Sequence, residues 1–328
     1  MTDMIVIEEA VGEIGCEPYS RTVDELLSFA VVNIDKQAGP TSHQVSDYVQ
    51  KILGLKKARH SGTLDPMVTG VQPVAIGRAT KVVQYLLKSP KEYICIMHLH
   101  KDNIEHEEIR KVMAGFIGKI QQLPPVRSAV KRQLRTREIY ELEILEIDNR
   151  DVLFRVLCEA GTYIRKLCTD IGKKMNIGAQ MQELRRSQAG PFREEDHLVT
   201  CDDLRDALFY YKEHGDETYL RHCLWPIERA VRDFKKIYVF DSALESLSHG
   251  RDLGAPGISK MENFKLGEIV AVMSLKGELV CVGEALMSAV QISTEKKGLA
   301  VATSKVFMEA IAASVDKEDS ESVEKREK

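Results

Sequence analysis

Across its 328 residues the chain has no apolar run approaching the roughly 20 residues that a membrane-spanning helix needs. It also lacks any Cys-x-x-Cys pair. The seven cysteines, at 16, 95, 158, 168, 201, 223 and 281, are odd in number and scattered, which fits neither a disulfide framework nor a zinc site. They read instead as small buried hydrophobes. A positively charged leader is missing too, because Asp3, Glu8 and Glu9 stand at the N-terminus, and the expected location is cytoplasmic. Strong charge of one sign is absent as well: the net charge is −4, which at first argues against a nucleic-acid partner.

The distribution of charge argues the other way. Residues 1–30 hold seven acids and one arginine, and residues 316–328 hold six acids against four bases, leaving 41 bases and 37 acids between them. Within that middle, PPVRSAVKRQLRTREIY carries Arg127, Lys131, Arg132, Arg135 and Arg137 against one Glu. Residues 163–186 add Arg165, Lys166, Lys173, Lys174, Arg185 and Arg186 against two acids. Such clusters suit phosphate contacts, and they equally suit a solvated charged face.

The hydrophobic pattern predicts mixed, largely β structure. AVVNI (30–34) and KEYICIMHLH read as strands, and IYELEILEI and DVLFRVLCEA alternate in period two around Asp148-Asn149-Arg150 as a hairpin. Thr41 or Ser42 can cap a helix whose stripe is Val45, Val49, Ile52 and Leu53. Thr162 is placed to cap another built on Ile164, Leu167, Cys168 and Ile171, and MQELRRSQAG returns as a strand. Beyond Trp225-Pro226, four short strand-like runs separated by Gly-bearing turns predict a small β-barrel. The expected organisation is an acidic segment over 1–29 that packs on the C-terminal domain, a main domain over 30–233, the small β domain over 234–312, and a disordered charged tail over 313–328.

One stretch, HSGTLDPMVTG (60–70), places a single carboxylate, Asp65, between Leu64 and Pro66 in a loop with Gly62 and Gly70 on either side. A residue before proline is driven away from helical geometry. Asp65 is therefore either turn chemistry or a working acid.

The stretches IDKQAGPTSHQV, HSGTLDPMVTGVQPVAIGRATK, KEYICIMHLH, PPVRSAVKRQLRTREIYELEILEI, EAGTYIRKLCTDIG and MQELRRSQAGPF, with KIYVFDSALESLSHG and KGELVCVGEALM after them, resemble the TruB family of RNA pseudouridine synthases. Within it the chain is most similar to the archaeal H/ACA guide-RNA-dependent branch, the relatives of dyskerin. The resemblance covers roughly residues 28–310. It implies an α+β fold, with a mixed, largely antiparallel catalytic sheet and a C-terminal PUA domain. It implies an enzyme that isomerises chosen uridines in RNA and needs neither metal nor organic cofactor, since the reaction is redox-neutral.

By the same resemblance, Asp65 is the essential carboxylate, and Arg165 of GTYIR pairs with it, favouring the charged form in a water-poor pocket. Tyr93 of KEY stacks on the displaced uracil and is a candidate for base chemistry. His60, Lys36, Tyr163 and Leu184 are expected at the substrate, with Gln37 standing where a proline is usual after the lysine. His249 and Gly250 open an HGRDL run where the PUA domain of relatives has His-Gly-Ala, and with Arg127, Lys131, Arg132 and Arg135 they are the expected RNA contacts. The implied partners are an H/ACA guide RNA, a ribosomal or transfer RNA substrate, and three small ribonucleoprotein proteins. The competing readings are a stand-alone transfer RNA uridine isomerase and a noncatalytic RNA-binding scaffold. The filled catalytic positions disfavour the scaffold, and the short Leu99–Ile120 connection disfavours the stand-alone enzyme.

Overall fold

The computed structural model describes residues 4–124 and 132–311. Arg127, Lys131 and the whole of the expected tail lie outside the described residues. The chain divides into two compact units. One is Arg21–Asp233; the other is formed by the described parts of Met1–Ser20 and Phe234–Lys328.

Among the described residues, the larger unit is built on a ten-stranded sheet. Its main path runs Trp225–Pro226, Ala30–Lys36, Thr69–Ile76, Ala179–Ala189, Lys91–Leu99, Asp151–Cys158, Arg135–Asp148 and Gly118–Gln122. The neighbours pair antiparallel except Thr69–Ile76 with Ala179–Ala189, which are parallel. Ala30–Lys36 and Thr69–Ile76 are buried along almost their whole length, as strands near the middle of a covered sheet must be. Lys91–Leu99 alternates strictly. Tyr93, Cys95, Met97 and Leu99 point into a core shared with Leu167, Cys168 and Ile171 of the helix Ile164–Lys174. The hairpin expected at 148–150 is present, and Asn149 takes a left-handed φ of 53°, which asparagine tolerates better than most residues.

Helix Ser42–Ile52 begins with a full capping box: the Thr41 hydroxyl accepts from the Gln44 N–H, and the Gln44 side chain accepts from the Thr41 N–H. Thr162 does not cap Ile164–Lys174. Its hydroxyl turns back to donate to the Glu159 carbonyl at 2.7 Å, and Tyr163 is the N-cap residue with no capping side chain. The buried Gln122 amide holds the backbone of this N-cap residue from another strand. It accepts from the Tyr163 N–H at 3.0 Å and donates to the Tyr163 carbonyl at 3.1 Å.

The smaller unit holds a seven-stranded sheet among the described residues, in which Met4–Val6 pairs antiparallel with Ile258–Glu262. Asp241 fastens the same N-terminal segment by accepting from the N–H groups of Glu13 and Ile14 at 2.7 and 3.1 Å. Ile237, Val239, Leu244, Val270, Val272, Val280 and Val301 fill its core.

Candidate active site

The 60–70 loop is anchored on both sides of its carboxylate. Leu64 and Val68 are buried in the main core, whereas Asp65 between them keeps 54% of its side chain exposed. The backbone is held as firmly. Leu64 N–H donates to the Ser42 hydroxyl at 2.8 Å, the Pro66 carbonyl accepts from Gly39 N–H at 2.9 Å, and Val68 N–H donates to the Asp65 carbonyl at 3.0 Å. Gly70 closes the loop with φ +103°, and a Cβ there would lie 2.2 Å from the Arg186 carbonyl oxygen, so only glycine fits.

Lys36 is fully buried beneath this loop. Its Nζ donates to the carbonyls of Gln37, Pro66 and Val68 at 2.9, 2.8 and 2.7 Å, so all three donors of the ammonium are used. Lys36 is thus a clamp on the loop rather than an exposed substrate contact. Burial pushes its pKa down, the charge of Arg186 adds to that, and Asp65 opposes it.

Arg165, in the first turn of helix Ile164–Lys174, donates from Nη2 to Asp65 Oδ2. The pairing expected from sequence is therefore formed. Its setting differs, because each side chain is 54% exposed. Tyr93 lies on the floor and is buried; burial raises its pKa, with Arg186 pulling it back by charge and a side-chain hydrogen bond. Leu184 sits opposite Cys95 on the neighbouring strand and packs half-buried on the same core. Tyr163 is tied through its backbone to Gln122.

His60 ends the short strand Ala58–His60 and packs edge-on against His43, with ring centroids 4.8 Å apart. Burial, then the charges of His43 and Arg186, push its pKa down to about 4, so the ring is neutral near pH 7. Lys91, at the start of the Tyr93 strand, donates to the carbonyls of Leu86 and Ser89, and burial with Arg186 lowers its pKa to about 7.

Most cations of the basic run 163–186 are already paired or buried, whereas Lys173 and Lys174 are exposed. Arg165 is committed to Asp65, Lys166 to Asp170, and Arg185 to Asp35 and Glu194, and Arg186 is 1% exposed. Arg137 likewise pairs with Glu159 at 3.2 Å. Arg132 is exposed, and Arg135 opens its strand half-buried. In the smaller unit His249 and Gly250 are exposed at the end of helix Asp241–Ser248, with Gly250 at φ +87°. The Thr303 N–H donates to Asp252 and its hydroxyl to the Arg251 carbonyl, which ties this turn to the strand Leu299–Val306.

Sequence reading passed over Ser42, Lys91, Gln122 and the buried setting of Arg186. For Arg186 a signal existed. A strand pairing ELRRSQ with KEYICI leaves its two arginines on opposite faces. Among the described residues no group of three or more His, Cys, Asp or Glu is placed to hold a metal.

A fixed carboxylate oriented by a guanidinium beside a buried phenol suits cleavage and re-formation of a bond at a ribose carbon. Residues 50–164 match the TruB family pseudouridylate synthase (N terminal domain), 165–232 the tRNA pseudouridylate synthase B C-terminal domain, 235–307 the PUA domain and 4–46 the DKCLD (NUC011) domain. The class is an RNA pseudouridine synthase.

Within that class the chain belongs to the TruB family. A Methanothermobacter thermautotrophicus protein named probable tRNA pseudouridine synthase B is 51% identical over 312 residues, covering 94% of this chain and 96% of that one. A crystal structure of a Cbf5-Nop10-Gar1 complex contains a chain 47% identical with a TM-score of 0.89, covering 94% and 95%. A structure of an H/ACA RNP bound to a substrate RNA containing 2'-deoxyuridine contains one 45% identical with a TM-score of 0.88, covering 94% and 95%. Among the described residues no helix is long and apolar enough to cross a membrane.

Proposed function

We propose that this enzyme isomerises uridines selected by an H/ACA guide RNA, with Asp65 as the essential carboxylate and Arg165 as the residue that aims it. The observation that carries the reading is the end-to-end similarity to chains solved in a Cbf5-Nop10-Gar1 complex and in an H/ACA RNP with substrate RNA. The partners proposed are the guide, Nop10- and Gar1-like proteins, and a third small protein that binds the guide's kink-turn. A second reading has its own support, since curated relatives about half identical are named for transfer RNA. The connection from Leu99 to Gly118 holds one helix, His106–Ala114, and no room for a substrate-gripping insertion, which favours guidance.

The reaction breaks the bond from the ribose carbon to N1, turns the uracil and joins C5 to the same carbon, with the C5 proton leaving and N1 taking up a proton. Asp65 serves as nucleophile or proton acceptor; either role needs a carboxylate fixed in space, which the loop and Arg165 supply. Tyr93 forms the floor on which the displaced base rests. His60, neutral at physiological pH, lies five residues upstream on the strand entering the loop.

The test is pseudouridine formation in a target that pairs with a designed guide, assayed with and without guide and partner proteins. Product that follows the guide sequence is the expected result. Modification confined to transfer RNA, never redirected by guide and partners, overturns guidance and leaves the stand-alone reading.

A further inference from the structure

Three cationic side chains are buried under the Asp65 loop: Lys36, Lys91 and Arg186. The two lysines spend their charge on backbone carbonyls, three for Lys36 and two for Lys91. Arg186 is different. A guanidinium has five N–H donors, and its hydrogen bonds to backbone are Nε to the Val71 carbonyl at 2.7 Å and a long one from Nη2 to the Gly62 carbonyl at 3.4 Å. No carboxylate pairs with it among the described residues. A buried charge without a counter-ion costs several kcal/mol, so a simple tie between strands is an expensive use of arginine.

Its neighbours are the reacting parts of the site. Across the antiparallel pairing Arg186 is the partner of Tyr93, and a bulge in the register between Glu92 and Tyr93 puts the two on one face. On its other side Arg186 pairs in parallel with Gly70, which ends the Asp65 loop. Its side chain reaches back to Gly62, which begins that loop. Arg186 therefore reaches both ends of the loop, Gly70 through its backbone and Gly62 through its guanidinium, as well as Tyr93.

We propose that Arg186 is a positioning residue of the uridine site: it locks the Tyr93 ring and hydroxyl against the Asp65 loop, and its buried charge favours the uracil as it takes on electrons from the broken bond. The second effect follows from the low dielectric around it, where a fixed charge acts more strongly than in water. The charge of Arg186 is also felt at Lys36, His60 and Lys91, which it pushes toward their neutral forms. This inference rests on the reading that Asp65 and Tyr93 serve the reaction.

The experiment compares full-length wild type, Arg186→Lys, Arg186→Met, Tyr93→Phe, Asp65→Asn and the double variant Arg186→Lys/Tyr93→Phe, in whichever RNA assay supports wild-type turnover. Single-turnover rate, RNA affinity and the 13Cζ resonance of Tyr93, assigned by its loss in Tyr93→Phe, are read for each. Arg186→Met should lose about 100-fold in rate with RNA affinity within about threefold, and should move the Tyr93 resonance. Arg186→Lys, which keeps charge without the planar fork, should recover part of the rate. In the Tyr93→Phe background Arg186→Lys should add little.

A folded Arg186→Met with near-normal rate overturns the proposal. So does an unmoved Tyr93 resonance, or full multiplication of the two single losses. If Arg186→Met does not fold, the rate and resonance of Arg186→Lys decide by the same criteria. Product from Asp65→Asn would instead sink the reading of the site itself.

Discussion

Arg165 Nη2 donates to Asp65 Oδ2 although 100 residues separate them in the chain. The contact joins the first turn of helix Ile164–Lys174 to a loop held from below by Lys36 and from the side by Ser42. Both side chains are half exposed, so the pair faces the space where RNA must arrive. An ion pair so open to solvent adds little to stability. On the proposed reading, its value lies in orientation.

Replacing Asp65 by Asn keeps shape and turn propensity while removing the charge. The variant should melt like wild type and bind RNA within about threefold, yet form no pseudouridine, because an amide is neither nucleophile nor base. A tritium-release or mass-spectrometric assay on purified target RNA decides it; normal yield would return Asp65 to a turn-forming role.

Arg165→Lys retains a positive charge but not a planar fork. The single-turnover rate should fall roughly 100-fold, with RNA affinity nearly unchanged, since the loss is one of aim. Turnover close to wild type would reduce Arg165 to an ordinary surface cation.

Lys36→Met fits the same space and abandons three buried carbonyls. At about 1 kcal/mol or more for each lost bond, offset by relief of a buried charge, urea unfolding should show a net loss of about 2–4 kcal/mol. The rate should drop with it, because Pro66 and Val68 flank the carboxylate. A variant as stable as wild type would contradict the clamp.

His60 carries a pH signature. Its folded pKa is about 4 against 6.5 for the free side chain, so between those values the unfolded chain binds the proton and the folded chain resists it. The full contribution is present above pH 6.5, and stability is lost as the pH falls toward 4. Urea midpoints measured at pH 7 and pH 5 should differ less in His60→Gln than in wild type; an equal difference would mean that the ring is protonated in the fold. Lys91 acts in a higher window. With a folded pKa of about 7 against 10.5, its share of stability rises with pH between the two.

Much of the fold was legible because period and punctuation are local. Lys91–Leu99 alternates in sequence and alternates in burial, and the 148–150 turn carries the Asn that its left-handed φ asks for. Thr41 caps as read, since its capping partner Gln44 is three residues away. Thr162 misled for the complementary reason: the N-cap residue Tyr163 is instead held by Gln122, which lies 41 residues before it and carries no local sign of that task. Much of the charge in the basic run 163–186 is neutralised at long range in the same way, since Arg165 meets Asp65 100 residues away and Arg185 meets Asp35 150 residues away.

The sequence by itself determined the strands Ala30–Lys36 and Lys91–Leu99, the hairpin around Asn149, the helix Ser42–Ile52, the loop that displays Asp65, and the family to which the chain belongs, all of which rest on residue types at short spacing. Only the tertiary structure decided which of two adjacent arginines goes inside. Arg185 meets Asp35 and Glu194 at the surface, whereas Arg186 is buried against Val71, Gly62 and Tyr93. Alternation says that neighbours on a strand face opposite ways. Which of them faces in depends on register, and here a bulge opposite Glu92 and Tyr93, made by pairing strands nearly 100 residues apart, sets that register.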